Sequence, residues 1–232
     1  MIGDIVCGFS DPEIDGLIDK SSEHDAGRYD ANILAEQIDY VWEKWGWEGV
    51  CYYLLHHILD RIADIAVSEL CGLCEDYLSG KIILEDAYTG LLEKILQRTK
   101  EDYYIQNLWR TGYDKRDKLL KLTVEYILAS LEAGWEACIG FVILDVSSTG
   151  RPMVGMRVFN GAIVKSVAKE FKGYRSFSEK EIKDFLMRLG ELAKTKMYDV
   201  EKVTENRKAK LAEEYKRLRP LLEEAIAEYS NR

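Results

Sequence analysis

The polar residues best suited to chemistry lie on one predicted helix. His56, Asp60 and Asp64 recur every four residues, so on a helix they share one face. A histidine with two carboxylates could bind a divalent metal ion that activates water or holds a phosphate. Glu132 and Glu136, four residues apart on a later helix, would supply facing ligands. This arrangement predicts, as an alternative function, a metal-dependent hydrolase or phosphoryl-processing enzyme.

The same spacing has a simpler interpretation. Carboxylates one turn apart arise often in a chain with 41 Asp and Glu residues, where they are solvated or ion-paired. The sequence contains no glycine-rich phosphate loop, no HExxH motif and no GxSxG motif. We therefore expect a non-enzymatic protein with no catalytic residues and no cofactor, and we keep the divalent metal site as the alternative.

Cys71 and Cys74 form the one CxxC motif of the sequence. A structural zinc site needs four ligands, and the other Cys and His residues are scattered singly. A redox pair normally opens a helix, whereas this pair lies within one, where the nearby charge of Glu75 raises a thiol pKa. The favoured interpretation is a pair of small buried residues, with metal and redox roles as alternatives.

Charge is spread unevenly along the chain. Residues 1–90 carry 5 Lys and Arg against 19 Asp and Glu, a net charge of −14. Residues 91–150 carry a net charge of −1, and residues 151–232 carry 19 against 13, a net charge of +6. A locally basic region attracts polyanions even though the whole chain has a net charge of −9.

The basic region contains the candidate nucleic-acid-binding residues. Lys and Arg neutralise phosphates, and interleaved rings such as Tyr174 and Phe177 can stack on unpaired bases. We therefore predict an intracellular binding protein that contacts nucleic acid or a nucleoprotein assembly through basic C-terminal helices. The candidate residues are Arg151, Arg157, Lys165, Lys169, Lys172, Arg175, Lys180 and Lys183.

Other interpretations of the basic region remain open. Its cations could form Glu–Lys pairs on a surface of thermophile-like composition, which the low Gln and His content and the many Glu, Lys, Tyr and Ile residues indicate. They could also dock on an acidic protein, including another copy of this chain. A structural scaffold or the subunit of a homo-oligomer is the further alternative function.

The hydrophobic pattern predicts a mainly α-helical fold. Apolar residues at spacings of three and four predict helices over about 33–45 and 48–78, separated by Gly46 and Gly49. Further helices are predicted from Leu84, ending in an aromatic group at Tyr103, Tyr104 and Trp109, and from Asp114. Four amphipathic helices joined by glycine-containing turns are typical of an antiparallel helical bundle.

Local residues predict several helix ends. Asp11 before Pro12 and the capping box of Ser178 and Glu181 are typical helix starts. Ser79 and Gly80 are typical of a helix end, and Pro220 is expected to kink or divide the last helix.

Residues 139–159 depart from the helical pattern. Their β-branched and aromatic residues around a Ser, Gly and Pro turn predict a small β-hairpin. The alternative extends the preceding helix to about residue 146 and makes 147–155 a linker. We predict an acidic N-terminal helical bundle over residues 1–146 and a basic C-terminal helical lobe over 147–232, packed as two domains or as one.

The composition is that of a folded protein, with 47% hydrophobic and 31% charged residues. The longest strongly apolar run, residues 137–144, is far shorter than a membrane-spanning helix. The first residues lack the basic start of a secretory signal. We therefore expect a cytoplasmic protein with no membrane partner.

Overall fold

The computed structural model describes residues 8–9, 11–22, 31–134, 178–197 and 200–231. These residues are mainly helical and contain no strand, which confirms the predicted mainly α-helical class. Their helices are α1 (Pro12–Ser22), α2 (Ala31–Leu78), α3 (Leu84–Glu101), α4 (Tyr103–Asn107), α5 (Asp114–Ala133), α6 (Glu179–Met197) and α7 (Val200–Ser230).

The small β-hairpin predicted near 139–159 is not borne out. That segment lies outside the described residues, and none of the described residues forms a strand. An isolated two-stranded ribbon is only marginally stable in water, which is the physical reason that weighs against it.

Capping residues start α1 and α6 where the sequence predicts. Asp11 Oδ1 accepts a hydrogen bond from the backbone nitrogen of Glu13 at 2.8 Å, and Pro12 is the first residue of α1. Glu181 Oε2 accepts from the Ser178 nitrogen at 2.7 Å, and Ser178 Oγ accepts from the Glu181 nitrogen at 3.3 Å. Both predicted helix starts are confirmed.

Two glycines shape α2. Gly46 has φ of 66° and ψ of −152°, which interrupts the helical backbone between the two predicted segments. Gly80, with φ of 71°, lies two residues after the end of α2 at Leu78, and the Lys81 nitrogen donates to the Asp76 carbonyl at 2.9 Å. Positive φ is readily adopted by glycine alone, so both predicted breaks are confirmed. Pro220, in contrast, lies inside α7 and does not divide it.

Contacts divide the chain into two compact units. Unit 1 comprises Met1–Leu59, Asp102–Ala133 and Asn206–Arg232, and unit 2 comprises Asp60–Glu101 and Gly134–Glu205. Unit 1 therefore combines residues that are far apart in the sequence.

The predicted division into N-terminal and C-terminal domains stays a prediction. Its boundary between residues 146 and 147 lies outside the described residues.

In unit 1, α7 packs against α2 and α5. Leu119, Ala225 and Tyr229 are fully buried, and Trp42 and Trp47 pack against them. The rings of Trp42 and Tyr229 meet edge-to-face with centroids 4.8 Å apart. Aromatic pairs in this geometry stabilise beyond the area that they bury, so the last helix is an integral part of the unit 1 core.

In unit 2, α6 contributes its apolar stripe to the core. Phe185 and Leu189 are buried, and the Phe185 ring lies 5.6 Å from that of Tyr77. The buried carboxylate of Glu69 accepts charged hydrogen bonds from Lys94 and Arg98 on α3. A buried charge needs such partners, because taking an ion out of water costs several kcal/mol even after the surrounding structure relaxes.

None of the described helices combines the length and apolar character that crossing a bilayer requires.

Candidate nucleic-acid interface

Most of the predicted nucleic-acid-binding residues lie outside the described part of the chain. This group comprises Arg151, Arg157, Lys165, Lys169, Lys172 and Arg175. Lys183 lies on α6, but its side chain is not among those described. Lys180 lies in the first turn of α6 and is exposed.

Several other cations of α6 and α7 are already paired within their own helix. Each pair joins Lys or Arg to a glutamate three or four residues away. Exposed pairs of this kind add little stability, but the carboxylate lowers the positive potential available to a ligand. The pairs are Lys194–Glu191 (2.8 Å), Arg217–Glu214 (3.0 Å) and Arg219–Glu223 (2.9 Å).

The residues of the alternative metal site have different environments. His56 is 4% exposed, with Nε2 3.5 Å from Asp15 Oδ1 and its ring 4.6 Å from that of Tyr52. The Asp64 side chain is 66% exposed and lies 3.7 Å from Arg61. The helix that they share therefore does not give them a common environment.

No group of three or more His, Cys, Asp or Glu side chains suited to a metal ion occurs among the described residues. Asp60 and Glu132 belong to those residues, whereas Glu136 lies outside them. The predicted set of His56, Asp60, Asp64, Glu132 and Glu136 stays a prediction.

His57 is a buried packing group. Its ring lies 4.6 Å from that of Tyr53 in an edge-to-face arrangement. Burial, with a smaller contribution from His56, lowers the pKa of His57 to about 3. The His57 imidazole is therefore neutral near pH 7.

The CxxC cysteines are buried thiols on α2. Burial, with a smaller effect of Cys71, raises the pKa of Cys74 to about 12. The thiolate is the form that reacts and binds metals, so a raised pKa favours the predicted role as small buried residues.

The acidic side chains of α1 and of Asp11, which caps it, bind residues of α2. One indole and two phenols donate to three carboxylates, and Lys44 forms an ion pair with Glu13. Part of the negative charge of the acidic N-terminal region is thus bound to hydrogen-bond donors and a cation within unit 1. The donor–acceptor pairs are Trp45 Nε1 to Asp11 Oδ2 (3.2 Å), Tyr40 OH to Glu13 Oε1 (2.6 Å) and Tyr52 OH to Asp15 Oδ1 (2.9 Å).

Lys44 also lies over aromatic rings. Its Nζ is 4.6 Å from the Trp45 ring centroid and 5.8 Å from that of Tyr40. We call Tyr40, Lys44 and Trp45, with their partners Asp11 and Glu13, the Trp45 site.

A second aromatic and cationic group was not predicted from the sequence. Trp109 lies after α4, with Arg110 and Lys121 over its ring. We call these three residues the Trp109 site. Its signal in the sequence is the interleaving of rings and cations over residues 103–121, which hold 5 Lys and Arg against 2 Asp.

Comparison with known proteins gives no relative. No protein-family model matches this chain, and no curated protein or solved structure is detectably similar to it. Functional inference therefore depends on the residues themselves.

Proposed function

We propose that this chain is a non-enzymatic helical protein that binds nucleic acid, alone or in a nucleoprotein assembly, through its basic C-terminal residues. The observation that carries the proposal is the change in net charge from −14 over residues 1–90 to +6 over residues 151–232. Phosphate neutralisation by Lys and Arg supplies most of the affinity in non-specific binding. The exposed position of Lys180 at the start of α6 is consistent with such a role.

The proposal separates two kinds of cation in the same region. Lys194, Arg217 and Arg219 each have a glutamate partner, so a phosphate must compete with a carboxylate for them. No glutamate or aspartate stands three or four residues from Lys165 or Lys169 in the sequence, so we expect these candidates to contact phosphate without such competition. Their loss should therefore weaken binding more than the loss of the paired cations.

The test is a gel-shift titration of duplex DNA at increasing salt concentration. The variant Lys165→Ala, Lys169→Ala, Lys172→Ala should weaken binding at low salt and reduce the slope of log K against log salt by about 0.9 for each lost phosphate contact. The control variant replaces three ion-paired cations and changes net charge equally: Lys194→Ala, Arg217→Ala, Arg219→Ala.

Two results would count against the proposal. The first is no binding of the unchanged protein at low salt, and the second is an equal loss of affinity in both triple variants. Circular dichroism spectra of both variants establish whether each keeps its helices.

A cytoplasmic location belongs to the same proposal, because nucleic acid is an intracellular partner. Cell fractionation tests it directly. Metal analysis of the purified protein tests the metal-dependent alternative, and light scattering tests the oligomer alternative.

A further inference from the structure

The Trp109 site places two exposed cations over one half-buried indole ring. Arg110 Cζ lies 5.1 Å and Lys121 Nζ lies 5.5 Å from the centroid of the Trp109 ring. Trp109 Nε1 donates to the Gln106 carbonyl at 2.9 Å, which fixes the edge of the indole. Tyr103, in the segment of residues 103–121, is 79% exposed.

The turn that carries Trp109 is held firmly. Asp117 on α5 accepts hydrogen bonds from the Thr111 nitrogen (2.8 Å), the Thr111 hydroxyl (2.6 Å) and the Gly112 nitrogen (3.1 Å). On the other side of Trp109, Leu108 and Ile105 are buried. The segment is therefore anchored at both ends, and a ligand would meet a preformed surface at small entropic cost.

The cations of this segment differ from Lys44 of the Trp45 site. Lys44 forms an ion pair with Glu13, which offsets its charge. Within the described part of the chain, Arg110, Lys115 and Lys121 form no ion pair with a carboxylate. Residues 103–121 have a net charge of +3 in a region that is otherwise acidic or neutral.

We propose that the Trp109 site binds single-stranded nucleic acid, with an unpaired base on the Trp109 ring and phosphates on Arg110 and Lys121. This inference shares its class of partner with the proposed function, but it places the contact in unit 1 and does not depend on the C-terminal cations.

Replacing the cations over the Trp109 ring by a stacked base is favourable in free energy. A cation over an exposed ring contributes roughly twofold to fivefold in an equilibrium constant, whereas a base stacked on a ring contributes roughly fivefold to a hundredfold. Arg110 and Lys121 would also gain charge-assisted hydrogen bonds to phosphate when they leave the ring. An acidic peptide could bind the same cations, but it would offer no flat ring to Trp109.

The test measures fluorescence anisotropy with a labelled single-stranded oligonucleotide of about 16 nucleotides and with the duplex of the same sequence. Trp109→Ala should lower single-strand affinity roughly tenfold and leave duplex affinity nearly unchanged, because duplex bases are already stacked. Trp109→Phe should retain most of the affinity. Arg110→Ala with Lys121→Ala should reduce the salt slope for the single strand by about 1.4.

Lys44→Ala is the matched control, because Lys44 also lies over a tryptophan but has a carboxylate partner. It should leave single-strand affinity unchanged. Circular dichroism of Trp109→Ala shows whether the variant is folded, and Trp109→Phe provides the second variant if it is not.

Several results would overturn this inference. One is unchanged single-strand affinity in folded Trp109→Ala, and another is an equal loss for single strand and duplex. Polyglutamate that displaces the oligonucleotide at equal charge concentration would instead identify an acidic protein as the partner.

The two proposals fail separately. A failure of the C-terminal triple variant to change binding, with Trp109→Ala effective, leaves this inference standing. The reverse pattern leaves only the proposed function.

Discussion

The Trp45 site and the Trp109 site contain the same kinds of residue. The hydrogen-bond and ion-pair partners of those residues differ between the two sites. At the Trp45 site, the indole donates to Asp11 and the cation over the ring is paired with Glu13. At the Trp109 site, the indole donates to a backbone carbonyl and the two cations over the ring have no carboxylate partner in the described part of the chain.

This difference separates a structural use of aromatic and cationic residues from a binding use. Where carboxylates of α1 satisfy the donors of α2, the interactions join two helices of unit 1 and leave little charge for a ligand. Where no described carboxylate pairs with the cations over the ring, the charge and the ring stay available to a ligand. Composition alone cannot distinguish the two cases, because the deciding group lies far away in the sequence.

The largest effect that should separate the two regions is a dependence of stability on pH. On α2, the helix that also carries Trp45, burial lowers the pKa of His57 to about 3, whereas an unfolded histidine titrates near 6.5. Between these values the unfolded chain binds one more proton, so the stabilisation present above pH 6.5 is lost as the pH falls. We expect the free energy of unfolding to decrease by about 2.5 kcal/mol between pH 6 and pH 4.

Urea denaturation at several pH values measures this effect. His57→Phe should flatten the dependence by about 1.4 kcal/mol per pH unit. Trp109→Ala should leave it unchanged, since residues 103–121 contain no histidine. The same pH dependence of the free energy of unfolding in His57→Phe and in the unchanged protein would contradict the assignment of this effect to His57.

The next effect is the cost of removing each tryptophan. Trp45→Ala removes a half-buried ring, its hydrogen bond to Asp11 and its contact with Tyr40 at 6.0 Å. We expect a loss of about 2 kcal/mol in the free energy of unfolding. Trp109→Ala should cost less than about 1 kcal/mol, because its indole hydrogen bond is exposed. Urea denaturation followed by circular dichroism measures both losses of stability. A larger loss for Trp109→Ala than for Trp45→Ala would show that the Trp109 ring has a structural role.

The smallest effect concerns the backbone that follows Trp45. Gly46→Ala places a side chain at φ of 66° and ψ of −152°, a combination that only glycine adopts easily. We expect a loss of about 1 to 2 kcal/mol. Gly16→Ala is the control, because no atom lies within 4 Å of the added methyl group and helical glycine is unfavourable, so it should stabilise by about 0.5 kcal/mol. Equal changes in the free energy of unfolding for Gly46→Ala and Gly16→Ala would show that the fold does not require the Gly46 conformation.

Helix boundaries could be predicted because their causes are local. The Ser178 and Glu181 capping box, the glycine after α2 and the start of α5 at Asp114 each depend on a few neighbouring residues. The end of α3 was harder to predict. Asp102 accepts a hydrogen bond from the Ile105 nitrogen at 3.1 Å and starts the short helix α4, so the predicted aromatic group does not continue α3.

The candidate site was less predictable because helical periodicity does not say what covers a face. His56 and Asp64 share a face by spacing, yet one is buried against Tyr52 and the other is largely exposed. Periodicity also did not reveal the partner of α7. Lys118 on α5 binds Glu224 at 2.9 Å and Glu228 at 3.0 Å, more than a hundred positions away.

The contact between α2 and α7 has a consequence for the synthesis of this protein. Asp39 accepts a hydrogen bond from the Tyr229 hydroxyl, although 190 positions separate the two residues. While the ribosome is still adding the residues of α7, the faces of Trp42 and Trp47 that α7 will cover stay in contact with water. Nascent chains at that stage are natural clients for chaperones that recognise exposed aromatic surface.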